Sequence, residues 1–119
     1  MLKVTLAGLL AVGLGIPPAA ALHLTLVDSS PRENATVAEA PKEVVLKFNE
    51  ALDPERRAIS LRGPSGPVSM GPIRSTDTLS FAASITGTLE PGTYRVSWMA
   101  GSPDHPTIRG RYAFTVAAP

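Results

Sequence analysis

Prolines and glycines divide this chain so finely that only short extended segments fit between them. Twelve prolines and ten glycines are spread along 119 residues, and nowhere does an apolar spacing of three and four last long enough for a stable helix. What lies between the breakers alternates. Leu22-His23-Leu24-Thr25-Leu26-Val27-Asp28 puts leucine at every second position before Ser29-Ser30-Pro31 interrupts it. Val44-Val45-Leu46-Lys47-Phe48 is a second strand, and residues 58–62 a third, closed by Gly63-Pro64-Ser65-Gly66-Pro67. Residues 78–82, Thr93-Tyr94-Arg95-Val96-Ser97-Trp98 and Arg111-Tyr112-Ala113-Phe114-Thr115-Val116 complete the set. Short strands with turn residues between them predict an all-β chain, an antiparallel sandwich or barrel. The run Asp53-Pro54-Glu55-Arg56-Arg57 is read as a solvated charged connection.

Leu89-x-Pro91-Gly92-x-Tyr94 favours the sandwich. The spacing is that of a tyrosine corner, in which a phenol bonds back across the turn between the sheets of an immunoglobulin-like fold. Trp98, the sole tryptophan, is expected in the core.

The start of the chain has a different composition. Lys3 precedes an uncharged apolar run from Val4 to Ile16, and Pro17-Pro18-Ala19-Ala20-Ala21 follows. This order predicts a secretory leader over residues 1–21, too short to span a bilayer, and an exported soluble domain over residues 22–119. Without the leader, ten Lys and Arg face ten Asp and Glu. A balanced charge argues against nucleic acid or an anionic membrane as the principal partner. With no cysteine, any metal site must use imidazole, carboxylate or main-chain nitrogen, a donor set for borderline and hard ions.

Only two histidines are present, His23 near the expected mature terminus and His105 in Ser102-Pro103-Asp104-His105-Pro106. With them comes a series of short patterns: His23-x-x-Leu26-Val27-x-Ser29-x-Pro31, Ala40-Pro41-x-x-Val44-x-Leu46-x-Phe48-x-Glu50-x-Leu52, Leu89-x-Pro91-Gly92-Thr93-Tyr94-x-Val96-x-Trp98, and the Asp104-His105 loop with Gly110 beyond. In order and spacing the series resembles the CopC family of periplasmic copper-resistance proteins. The resemblance implies an immunoglobulin-like, Greek-key sandwich of about seven to eight strands that binds one Cu(II) per chain at one end. It also implies His23, Asp104 and His105 as ligands, and a membrane copper-transport protein as a plausible recipient.

The chemistry is coherent. An N-terminal histidine offers its amine and ring nitrogen to one ion, and a second imidazole with a carboxylate completes the tetragonal set that Cu(II) prefers. These donors must be deprotonated, so affinity falls in mild acid. Glu50 is either an acceptor that orients an imidazole or a solvated strand-end carboxylate. Two departures from the family pattern stand out. Its Asp-x-His is here the adjacent pair Asp104-His105, in a loop one residue shorter, and neighbours in a regular strand face opposite ways. Leader cleavage after Ala21 would also leave Leu22 first, which changes the terminal chelate. Met70 and Met99 are far apart in sequence, so a thioether Cu(I) site is not expected. Two other readings remain: a metal-free structural module, and an oxygenase built on a histidine-held copper.

Overall fold

A computed structural model describes residues 23–119. The expected leader and Leu22 lie outside the described residues. Nine strands form in chain order: β1 (Leu26–Ser30), β2 (Thr36–Val37), β3 (Glu43–Phe48), β4 (Arg57–Gly63), β5 (Gly66–Val68), β6 (Met70–Asp77), β7 (Ser80–Ile85), β8 (Gly92–Ser102) and β9 (His105–Val116). They pair as a four-stranded sheet, β1-β3-β7-β6, and a five-stranded sheet, β2-β9-β8-β4-β5. Two sheets with a non-sequential strand order make the all-β sandwich expected, with nine strands where the family resemblance implied about seven to eight. All pairings are antiparallel except β2 with β9, which is parallel.

The strongest alternations place the core correctly. Val44, Leu46 and Phe48 from β3 meet Tyr94, Val96 and Trp98 from β8 and Tyr112, Phe114 and Val116 from β9. Phe48 and Trp98 meet edge to face with centroids 5.2 Å apart, and Tyr94 stacks on Phe114 at 5.5 Å. Gly110 lies opposite Trp98 across the ladder. A Cβ there would sit 2.3 Å from the indole Cζ2, so this strand position must be glycine for the ring to lie flat over it.

Several boundaries differ from the expectation. Among the described residues the first strand starts at Leu26, past His23, Leu24 and Thr25, although Leu24 is already buried, and it runs through Ser29 and Ser30. A bulge between Leu26 and Asp28 breaks the alternation, leaving Val27 exposed. β2, β5 and β6 were not predicted. β2 and β5 have two and three residues, too few for any period to register. β6 is a sheet edge containing Gly71 and Pro72, with a burial pattern that does not alternate. The tyrosine corner forms as predicted: Tyr94 Oη donates to the Glu90 carbonyl at 2.6 Å.

Candidate metal centre

The histidine end of the sandwich is where β8 turns into β9. Ser102 pairs with His105, so Pro103 and Asp104 are a two-residue turn, and His105 is the first residue of β9. Proline suits the first central position because its φ is already fixed. Just behind the turn the ladder skips a step between Ala100 and Ser102. Pro106, on the facing strand, has no N–H to contribute there.

The skip frees main-chain carbonyls, and residues 53–56 take them up. Asp53 N donates to the Gly101 carbonyl at 2.8 Å. The Arg56 guanidinium donates to the carbonyls of Ser102 and His105, the latter at 3.2 Å, and its Nε lies 2.9 Å from Asp53 Oδ2. Asp53 Oδ1 in turn accepts from Glu55 N at 2.9 Å. That main-chain bond and the neighbouring guanidinium hold the Asp53 carboxyl below the usual range, so it stays charged in moderate acid. The charged stretch read as a solvated connection is therefore a clamp on the hairpin. Composition hid this, because its partners are carbonyls about fifty residues away that any sequence would supply.

The clamp fixes the main chain on which the His105 ring is carried. The ring is mostly buried, with Nε2 2.8 Å from Glu50 Oε2. Glu50, at the end of β3, thus lies against an imidazole. Glu50 Oε2 is buried, yet the ring N–H is not aligned with it as a hydrogen bond requires. A buried carboxylate oxygen with no donor aimed at it, beside an imidazole nitrogen, suits a site that takes up a cation.

Asn49, the residue before Glu50, holds the other histidine's segment. Its Nδ2 donates to the His23 carbonyl at 2.8 Å, its Oδ1 accepts from Thr25 N at 2.8 Å, and its own N–H donates to the Thr25 carbonyl at 3.1 Å. His23 is exposed while Leu24 is buried beside it. Consecutive residues at the end of β3 thus engage both histidine segments. Asn49 was missed from the sequence, where it reads only as a turn former. Asp104 is exposed at the hairpin tip and is not grouped with Glu50 and His105. Among the described residues, no three His, Asp or Glu side chains are already grouped to hold a metal.

The fold and site define a class: an all-β, two-sheet sandwich domain with its histidine segments fastened at one end of the sheets. The CopC domain matches residues 26–117, and the chain belongs to the CopC family. It is 32% identical over 112 residues to copper resistance protein C of Escherichia coli, covering 87% of this chain and 88% of that one. It is also 28% identical over 104 residues to the protein YobA of Escherichia coli K12, covering 85% and 84%. Among solved structures, PcoC, a methionine-rich copper resistance protein from Escherichia coli, superposes with a TM-score of 0.71 at 34% identity, covering 79% of this chain and 98% of that one. CopC from Methylosinus trichosporium OB3b superposes with a TM-score of 0.69 at 30% identity, covering 80% and 94%.

Proposed function

We propose that this chain is an extracytoplasmic Cu(II)-binding protein that sequesters copper or passes it to a membrane copper-transport protein. One Cu(II) is held per chain at the histidine end. The observation that carries the reading is the fastening of both histidine segments to Asn49 and Glu50, and membership of a family with relatives named for copper resistance supports it. His105 supplies a ring nitrogen, His23 a ring nitrogen with main-chain or terminal nitrogen, and Asp104 a carboxylate from the hairpin tip. Glu50, beside the His105 ring, is the acceptor that orients it once the metal is bound. Imidazole, carboxylate and nitrogen without thiolate suit Cu(II), which binds more tightly than other divalent first-row ions to such donors.

Protein exported by its own leader is the material for the test, its mature terminus fixed by intact mass. Cu(II) titration followed by electron paramagnetic resonance should show one tight equivalent with nitrogen hyperfine structure. His105→Ala should weaken it by more than about a hundredfold while the melting curve stays cooperative. Asp104→Ala should weaken it less and shift the resonance toward an all-nitrogen set. An unchanged affinity in His105→Ala would reduce the site to a terminal chelate. The absence of any tight equivalent in the wild type would leave a structural module.

A further inference from the structure

The chain has eight arginines, and they fall into two groups. Arg32, Arg56 and Arg74 form ion pairs with Asp28, Asp53 and Glu43. Arg57 donates to Ser75 Oγ at 2.8 Å and lies over the Phe81 ring. Arg62, Arg95, Arg109 and Arg111 have no side-chain hydrogen bond or ion pair to any described residue, and all four are exposed.

These four share one surface. On β8, Tyr94, Val96 and Trp98 point inward, so Arg95, Ser97 and Met99 point out. The register sets Arg62 opposite Arg95, Arg111 opposite Ser97 and Arg109 opposite Met99. Residues directly opposed in an antiparallel pair face the same way, which places all four guanidiniums on the outer face of the five-stranded sheet. Every other outward residue that the register places on β4, β8 and β9 is alanine, serine, threonine or Met99, with no carboxylate among them. Between Arg62 and Arg95 lies a depression of about 210 Å³ that Gly63, Thr93 and Ala113 help to line. The near-neutral total charge conceals this segregation.

We propose that this face is a docking surface for an acidic protein partner that presents carboxylates to the four arginines. The alternatives are less well suited. The face has no aromatic side chain on which nucleobases would stack. Apart from Met99 and Pro67, which lies opposite Arg62, it has no sizeable apolar side chain to enter a bilayer. Its cations are all arginine, whose planar fork pairs two-to-two with a carboxylate. Arg62 opposed to Arg95 costs the isolated domain stability, since like charges across a ladder repel. An incoming carboxylate between them removes that cost.

The probe is an oligoglutamate of about twenty residues, added to the full mature domain at low ionic strength and followed by amide chemical shifts. Shifts should concentrate on the outward residues of β4, β8 and β9 and fade as salt is raised. In the Arg62→Gln/Arg95→Gln/Arg109→Gln/Arg111→Gln variant, affinity should fall by at least about tenfold. The Arg95→Gln variant alone should weaken binding several-fold yet melt no lower than the wild type, which a structural role for that arginine would not allow. No perturbation, perturbation elsewhere on the domain, or an affinity unchanged by the four substitutions would overturn the proposal. So would tighter binding to phosphatidylglycerol vesicles than to oligoglutamate, which would assign the face to a lipid surface.

Discussion

β8 crosses the whole sandwich, and its two ends are built on different principles. At the Gly92 end the chain is fixed by shape. Tyr94 stacks on Phe114, its hydroxyl reaches the Glu90 carbonyl at 2.6 Å, and Gly63 lies directly beneath its ring. At the Ser102 end the ladder is broken by a bulge, and polar and charged groups restore order. Asp53 and Arg56 hold the carbonyls of Gly101, Ser102 and His105, Asn49 holds the His23 segment, and Glu50 faces the His105 ring. An end locked by ring packing can carry no exchangeable ligand. An end held by hydrogen bonds to main-chain carbonyls leaves imidazole and carboxylate side chains available for other partners.

If the division is real, damage to one end should be silent at the other. The largest stability effect is expected from Gly63→Ala, whose new Cβ would lie 2.3 Å from Tyr94 Cε2 and 2.6 Å from Cδ2. Neither the ring, stacked and hydrogen-bonded, nor the strand can yield easily, so unfolding free energy should fall by about 3 kcal/mol in urea titration. Below the transition, Cu(II) affinity should be unchanged, and a loss of affinity would show that the ends are coupled through β8. Arg56→Ala is the converse probe. It leaves the Ser102 and His105 carbonyls without their guanidinium, at a cost of about 2 kcal/mol. It should also lower Cu(II) affinity by about tenfold, because the hairpin carrying His105 is no longer held. Arg56→Lys should recover part of the stability and less of the affinity, since an ammonium cannot span several acceptors as a fork does.

The same division governs how far the sequence could be read. The shape-built end was legible because its signals are local. The Leu89 to Tyr94 spacing encodes the corner, and strict alternation through Val44, Leu46 and Phe48, and through Tyr94, Val96 and Trp98, encodes the core. The polar end was legible only in part. His23, Glu50 and His105 could be singled out because histidines are scarce and the family resemblance reaches them. Nothing in the sequence announced that Arg56 would clamp a hairpin 49 residues away, or that Asn49 would hold the His23 segment, since their acceptors are main-chain carbonyls. The shortened loop closed as a two-residue turn ahead of a bulge, with Asp104 at its exposed tip, a geometry that adjacency of Asp104 and His105 did not specify. The arginine face was illegible for another reason. Arg62 and Arg95 are far apart in sequence and meet only through the β4–β8 register.

The smallest effect, and the sharpest test of the division, is pH. Burial raises the Tyr94 phenol above its ordinary value, and the Glu90 carboxylate adds to the rise. A raised folded value means that the corner's contribution is complete below the pKa of an unfolded tyrosine, about 10, and is lost as pH climbs through the folded one. Asp53 shifts the opposite way. Its depressed value means that the clamp contributes fully above the ordinary carboxylate range and is lost only as pH falls through the lowered one. The metal-free domain should therefore loosen from opposite ends at opposite limits: the β8–β9 hairpin amides should exchange first in acid, and those around residues 89–94 first in alkali. In Tyr94→Phe the alkaline change at residues 89–94 should disappear and the acid change at the hairpin remain, while Asp53→Asn should do the reverse; Tyr112, raised by burial, and Asp77, lowered by the Leu79 amide, act at other places in the sheets. Trp98 fluorescence, sitting between the two ends, should respond to neither until the core itself opens. If both limits loosened the same amides, the domain would melt as one unit, and the contrast between its ends would be one of chemistry alone.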